Sequence, residues 1–261
     1  MYVGDKIDGI GFELRPGVTA DQYSHPDQLV WRYVPLPYFL DAVRTGTLFF
    51  TRLSYHAVHS DRREGSASRS FAQIREGVLR EQGVDIEQYN KDAAQFWLTM
   101  LQTVLVNCWH KREHESEPMW ERYSKTGDSV AIVSTLNQLV EAVPENVTVG
   151  HVEYIDFASE WSWSANPRDR AFLKSRTLED EREVRAVLVE PPITRDGRWA
   201  ITIPPGEEIG HRVPVKLSTL VTRVVLSPKS VRCADDVLAA LAAAGIAAPV
   251  DLSECCAGPR Y

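Results

Sequence analysis

The sequence predicts a single α+β domain built on a mixed, mainly antiparallel sheet flanked by helices. Three observations lead there. The 261 residues are 44% hydrophobic and 25% charged, an ordinary globular balance with enough apolar mass for one sizeable core. Apolar runs of strand length alternate with segments of helical periodicity along most of the chain. No internal repeat, low-complexity tract or linker divides it. The expected boundaries are an irregular lead-in over 1–28, rich in Gly, Pro and Asp, the domain over 29–254, and a tail over 255–261.

Taken in order, "LVWRYV" (29–34) reads as a strand. "PLPYFLDAVRTG" (35–46) reads as a short helix with Leu36, Phe39, Leu40 and Val43 on one face and Gly46 ending it. "TLFFTRL" (47–53) is a second strand and "SYHAVHSDRREGS" (54–66) a polar loop. Two strongly helical segments, about Ala67–Gln82 and Glu87–Met100, are expected as a helical subdomain over 67–100. Beyond them "TVLVNCW" and "SVAIVS" read as strands, with a helix starting near Ser116 between them. "TLNQLVEAV" is a helix, "VTVGHVEYI" a strand, and Arg168–Arg176 a helical stretch. "EVRAVLVE", "WAITI" and "LVTRVVLSP" are strand-like, and "ADDVLAALAAAG" is a last helix closed by Gly245.

Several function classes have nothing to stand on. The formal charge of −7 argues against a broad electrostatic footprint for nucleic acid. No apolar run approaches the roughly 20 residues that span a bilayer, and the first residues carry no secretory signal pattern. Four cysteines without metal or redox spacing fit a reducing, cytoplasmic setting. The G-x-S-x-G, P-loop, H-E-x-x-H and dinucleotide fingerprints are all missing.

Three stretches carry candidate chemistry. In "VNCWHKREHESEPMWERY" (106–123), Cys108 and His110 alternate on a strand, but no second ligand pair accompanies them, so no metal is expected. Ser116 caps the following helix, and Met119, Trp120 and Tyr123 share a face that reads as core. His110 and Glu115 are the two residues there that packing explains least. In "RTLEDEREVRAVLVE", Glu181 and Glu183 stand two apart and would project from one face of a strand. Paired carboxylates divide acid and base work, bind ribose hydroxyls, or stabilise a cationic sugar centre. A solvated charge cluster salted by Arg176, Arg182 and Arg185 is the simpler account. In the first two strands, Arg32 and Arg52 suit phosphate or carboxylate recognition, while Trp31, Tyr33, Phe49 and Phe50 read most simply as core.

These stretches, together with "VPVKLSTLVTRVVLSPKSV" and "AAGIAAPVDLSE", resemble the bacterial domain-of-unknown-function family numbered twenty-nine seventy-one, over about residues 29–254. The segment "CWH…ES..MW..Y" is the most specific part of the resemblance. The order "WRY", "LFFTR", "EREV" is also similar, at the level of fold, to ADP-ribosyltransferase-like domains. That similarity implies NAD as substrate. Arg32 would hold a phosphate or ribose, and Glu183 would stabilise the oxocarbenium-like centre as nicotinamide leaves. Glu181 would orient the acceptor, a protein or a nucleic acid. His110, Glu115, Tyr33 and Trp120 would line the cleft, with Arg52 beside it. The serine or tyrosine motif of such enzymes has no clear counterpart, with Thr51 and Tyr55 as candidates. Two other readings stay open. One is a phosphodiester-acting enzyme using His110, Asp61, Glu64 and nearby arginines; the other is a non-catalytic sensor or binding module. Neither the substrate nor the oligomeric state follows from the sequence.

Overall fold

Strand β3 (Val104–Lys111) organises the molecule, because both of its edges are paired and three other strands pair with it. The computed structural model describes residues 25–256 apart from 126, 163, 165, 191, 192, 196, 197 and 202. The lead-in expected over 1–28 lies outside the described residues as far as 24, as does the tail from 257.

One edge of β3 pairs antiparallel with β8 (Glu183–Val189), whose far edge takes β5 (Val147–His151). The other edge of β3 is shared. Its start pairs with β2 (Thr47–Arg52) through Leu105 and Val106, and its end pairs with β1 (Leu29–Pro35) through His110 and Lys111. Beyond β2 lies β11 (Gly210–Pro214); beyond β1 lie β4 (Ser129–Thr135), β12 (Arg223–Leu226) and β13 (Val250–Leu252). All pairs in this nine-stranded sheet are antiparallel except β12–β13, so the fold is α+β with a mixed, mainly antiparallel sheet; β9 (Ile193–Arg195) and β10 (Arg198–Ala200) form a separate antiparallel pair.

Between the portions paired with β1 and β2, the β3 edge is split, and side chains satisfy it. Asn107 Nδ2 donates to the Phe49 carbonyl at 2.9 Å, and Arg32 Nη1 donates to the Cys108 carbonyl at 2.6 Å. A buried carbonyl left by diverging strands needs such a partner.

Period-two alternation decides the two faces. Leu105 and Trp109 of β3 and Val184, Ala186 and Leu188 of β8 face the main core, under helices α1 (Leu36–Thr45), α6 (Leu136–Ala142), α8 (Leu217–Leu220) and α9 (Ala234–Ala243). Gly46 ends α1 in the left-handed conformation, as its position predicts. The opposite face carries Val106, Cys108, His110, Glu183, Arg185 and Val187. It is covered in patches by α2 (Leu53–His59), α4 (Ile86–Leu101), α5 (Glu117–Tyr123) and the segment after α7 (Pro167–Arg170).

Four expectations are corrected. The "SYHAVHS" loop is largely helix α2, overlooked because only Leu53 of its seven residues is buried. "VTVGHVEYI" is two strands, β5 and the short β6 (Glu153–Ile155), which leaves the sheet to pair in parallel with β7 (Leu173–Ser175). The helical stretch near Arg168–Arg176 is therefore α7, β7 and the start of a 3-10 turn over Arg176–Glu181. Glu181 belongs to that turn and not to a strand. Helix α3 (Arg69–Glu81) and α4 form a hairpin, capped by the Ser68 and Asp85 side chains, with no buried residue in α3 and only Leu101 in α4.

Candidate active site

The register between β3 and β8 puts His110 opposite Glu183 and Cys108 opposite Arg185, all on the face away from the main core. Around them lies a buried ionic cluster. Glu183 accepts from Lys174 Nζ through Oε1 at 3.1 Å, and from Arg185 Nε through Oε2 at 2.8 Å. The same Lys174 ammonium lies 2.5 Å from Glu181 Oε2, and the half-exposed Arg122 pairs with the other Glu181 oxygen. Arg185 also pairs with Glu64, which arrives from the loop after α2, and donates through Nη1 to the Ala171 carbonyl. Three carboxylates thus meet three cations, and five of the six side chains are almost fully buried.

Lys174 brings Glu181 and Glu183 to one side although they do not share a strand. Arg182 between them is left-handed at φ 45°, ψ 51°, so the chain kinks after the 3-10 turn and enters β8 with both carboxylates on the lysine. The Glu183 N–H donates to the Tyr154 hydroxyl at 2.8 Å, which tethers the kink to β6.

Burial alone would raise the Glu183 pKa, but the charges of Arg185 and Lys174 hold it well below the usual carboxylate range. Oε1 carries one hydrogen bond in this arrangement, so it retains acceptor capacity. Burial lowers the His110 pKa, leaving a neutral imidazole at pH 7. His110 Nδ1 lies 2.9 Å from the Glu181 carbonyl, which can only accept. Nδ1 therefore carries the proton, and Nε2 presents a lone pair. Burial and the Glu183 charge push the Cys108 thiol up to about 12, so it is inert as a nucleophile.

Each candidate named from the sequence has a place. Arg32 lies in the split beside Cys108, without a carboxylate partner among the described residues. Tyr33 accepts from the Ser116 N–H at 2.9 Å, and its ring meets Trp120 edge-on at 4.8 Å. Ser116 holds the N-cap position of α5 without a side-chain bond; Tyr33 instead satisfies its backbone. Arg32, Tyr33, His110, Trp120, Glu181 and Glu183 gather at one end of β3. Thr51 and Arg52 do not join them. They pair with Val106 and Leu105 at the other end, roughly 15 Å along the strand. There Arg52 is buried against Glu190, at 3.0 Å, and the carbonyls of Gln102 and Glu207. Glu115 accepts from Trp120 Nε1, Ser253 Oγ and the N–H groups of Glu254 and Cys255, so it fastens the segment after β13 to α5.

Lys174, Arg122 and Tyr154 were not singled out by the sequence. Lys174 lies in a three-residue strand too short to show alternation, and Arg122 follows a helix face read as core. Arg176, expected to salt the two glutamates, pairs with Glu160 instead. Among the described residues no group of three or more His, Cys, Asp or Glu side chains is arranged to hold a metal ion. No family model matches the chain, and no curated protein matches it.

Proposed function

We propose that the protein is an NAD-directed enzyme of the ADP-ribosyltransferase type, with its chemistry centred on Glu183 and His110. The observation that carries this reading is the gathering of Arg32, His110, Glu181 and Glu183, from three separated segments of chain, at one end of β3. Arg32, with no carboxylate partner among the described residues, offers its positive charge to a phosphate or to a ribose hydroxyl. Glu183, kept ionised by two fixed cations, offers Oε1 to a ribose hydroxyl and negative charge to a sugar cation. As the C1′–N bond breaks, nicotinamide leaves with the electron pair. The acceptor hydroxyl, or water, bonds to C1′ and gives its proton to His110 Nε2.

The decisive test is nicotinamide release from NAD by the purified protein, with and without cell lysate as acceptor source. Glu183→Gln and His110→Asn are run beside it; the asparagine keeps a donor near the Nδ1 position and removes Nε2. Release lost in both variants, with the melting temperature of at least one retained, supports the reading. No release from the parent protein sinks it.

The complete ion pairing of Glu183 favours a second reading. In it the cluster only ties the loop carrying Glu64 and the 3-10 turn to the sheet. Under that reading Glu183→Gln changes stability and nothing else.

A further inference from the structure

Buried cations in this fold generally have carboxylate partners. Arg52 has Glu190, Lys174 has Glu181 and Glu183, and Arg185 has Glu183 and Glu64. Arg170, at the end of α7, is 2% exposed and has none among the described residues. Its Nε donates to the Ser164 carbonyl at 2.8 Å and its Nη1 to the Gly65 carbonyl at 3.1 Å. The guanidinium carbon lies 3.3 Å from the centre of the Trp97 ring, and no described residue accepts from Nη2.

A second arginine shares this environment. Arg75 of α3 stands over the rings of Tyr89, at 5.1 Å, and Phe71, at 5.7 Å. Its Nη2 donates to Asn90 Oδ1, while its buried Nε has no partner among the described residues. Both arginines stand on rings carried by α4, Arg170 on Trp97 and Arg75 on Tyr89, and burial and then the like charge of Arg75 bring the Arg170 pKa down to about 9. Two arginines set among aromatic rings, one of them buried and neither paired with an acid among the described residues, form an arrangement that an anion would complete. Arginine is also the cation best suited to bidentate phosphate binding beside aromatic planes.

The pair is joined to the ionic cluster at two points. Gly65, whose carbonyl Arg170 holds, follows Glu64; Ala171, whose carbonyl Arg185 holds, follows Arg170.

From this arrangement we infer that Arg170 and Arg75 receive the phosphate groups of a nucleoside diphosphate. The inference rests on the reading above and deepens it, because the ADP half of NAD is such a group. The α3–α4 hairpin is then the element that recognises the ligand's anionic half, and the end of β3 is where its glycosidic bond is cleaved.

Calorimetric titration of the full chain with ADP, inorganic pyrophosphate and adenosine tests this without any turnover. Binding of ADP and pyrophosphate is expected, with adenosine at least tenfold weaker. Arg75→Gln, on a helix that buries nothing, should weaken ADP binding by tenfold or more with little change in melting temperature. Arg170→Gln should abolish it. Lys91→Gln, which removes an exposed positive charge from the same hairpin, should leave it unchanged. Loss in both arginine variants upholds the receptor even if no nicotinamide is released. A parent protein that binds neither ADP nor pyrophosphate overturns it. So does ADP binding that both arginine variants retain, and in that case NAD cleavage at Glu183 is untouched.

Discussion

Arg182 is the one non-glycine residue with positive φ among the described residues, and it stands between the two glutamates of the cluster. A side chain in the left-handed region costs about 1–2 kcal/mol, and such strain persists where its surroundings over-determine it. Here the surroundings are the Glu183–Tyr154 bond, the Lys174 bridge and the Glu181 carbonyl on His110. Arg182→Gly should therefore hold or raise the urea-unfolding midpoint, while the β-branched Arg182→Val should lower stability by about 1 kcal/mol or more. Lys174 presents the opposite case. Removing one partner from a buried ionic group leaves uncompensated charge at a cost of about 3–5 kcal/mol. Lys174→Met, which leaves Glu183 to Arg185 and Glu181 to the half-exposed Arg122, is expected to lose about 3 kcal/mol in equilibrium unfolding. A loss below 1 kcal/mol would show that the glutamates find protons or water instead.

Helix α5 covers the Trp31–Tyr33 patch through Met119 and Trp120, but its N-terminal approach is held by two devices that no periodicity reveals. One is the Tyr33 hydroxyl under Ser116. The other is Glu115, whose carboxylate collects four donors, three of them from residues 253–255. Desolvation works against the Glu115 charge, yet the bonds from Ser253, Trp120, Glu254 and Cys255 leave its pKa below the ordinary value. Strand β13 has only the edge of β12 to pair with, so this carboxylate is its second anchor. Glu115→Ala should cost about 1–3 kcal/mol. Amide exchange at residues 250–255 should quicken in the variant while β3 and β8 stay protected. Equal exchange in both proteins would mean that β12 alone holds the strand.

Across the fold, three groups that resist protonation lie on or against one face of the sheet. His56 and His110 are held below their usual 6.5 by burial, and Glu183 is held below its usual 4.5 by its cations. In each case the unfolded chain binds the proton more readily, so stability rises with pH through these ranges and falls on acidification. The melting temperature should be level near neutrality, decline as pH drops below about 6.5, and fall further below about 4.5. His110→Asn should flatten part of the first decline. An unchanged profile in that variant would assign the first step to His56 or another group. No described helix is long and apolar enough to cross a membrane.

Much of this architecture could be read from short-range pattern. The apolar runs of β1, β2, β4 and β8 and the glycine that closes α1 are local signals, because alternation and capping depend on neighbours a few residues apart. The core role of Met119 and Trp120 was legible for the same reason. Helix α2 was not, since a helix that buries one residue leaves no apolar stripe. The pairing of Glu183 with His110, and the separation of Arg52 from Arg32, depend on strand register over long stretches of chain. So do the ion pairs that neutralise the glutamates, such as that of Arg185 with Glu64 across 121 residues. Residue types and their local periods named most of the longer strands and most of the charged groups. Which charges meet, which are buried, and which lack a partner were settled by packing between distant segments, because burial and ion pairing are properties of three-dimensional neighbours.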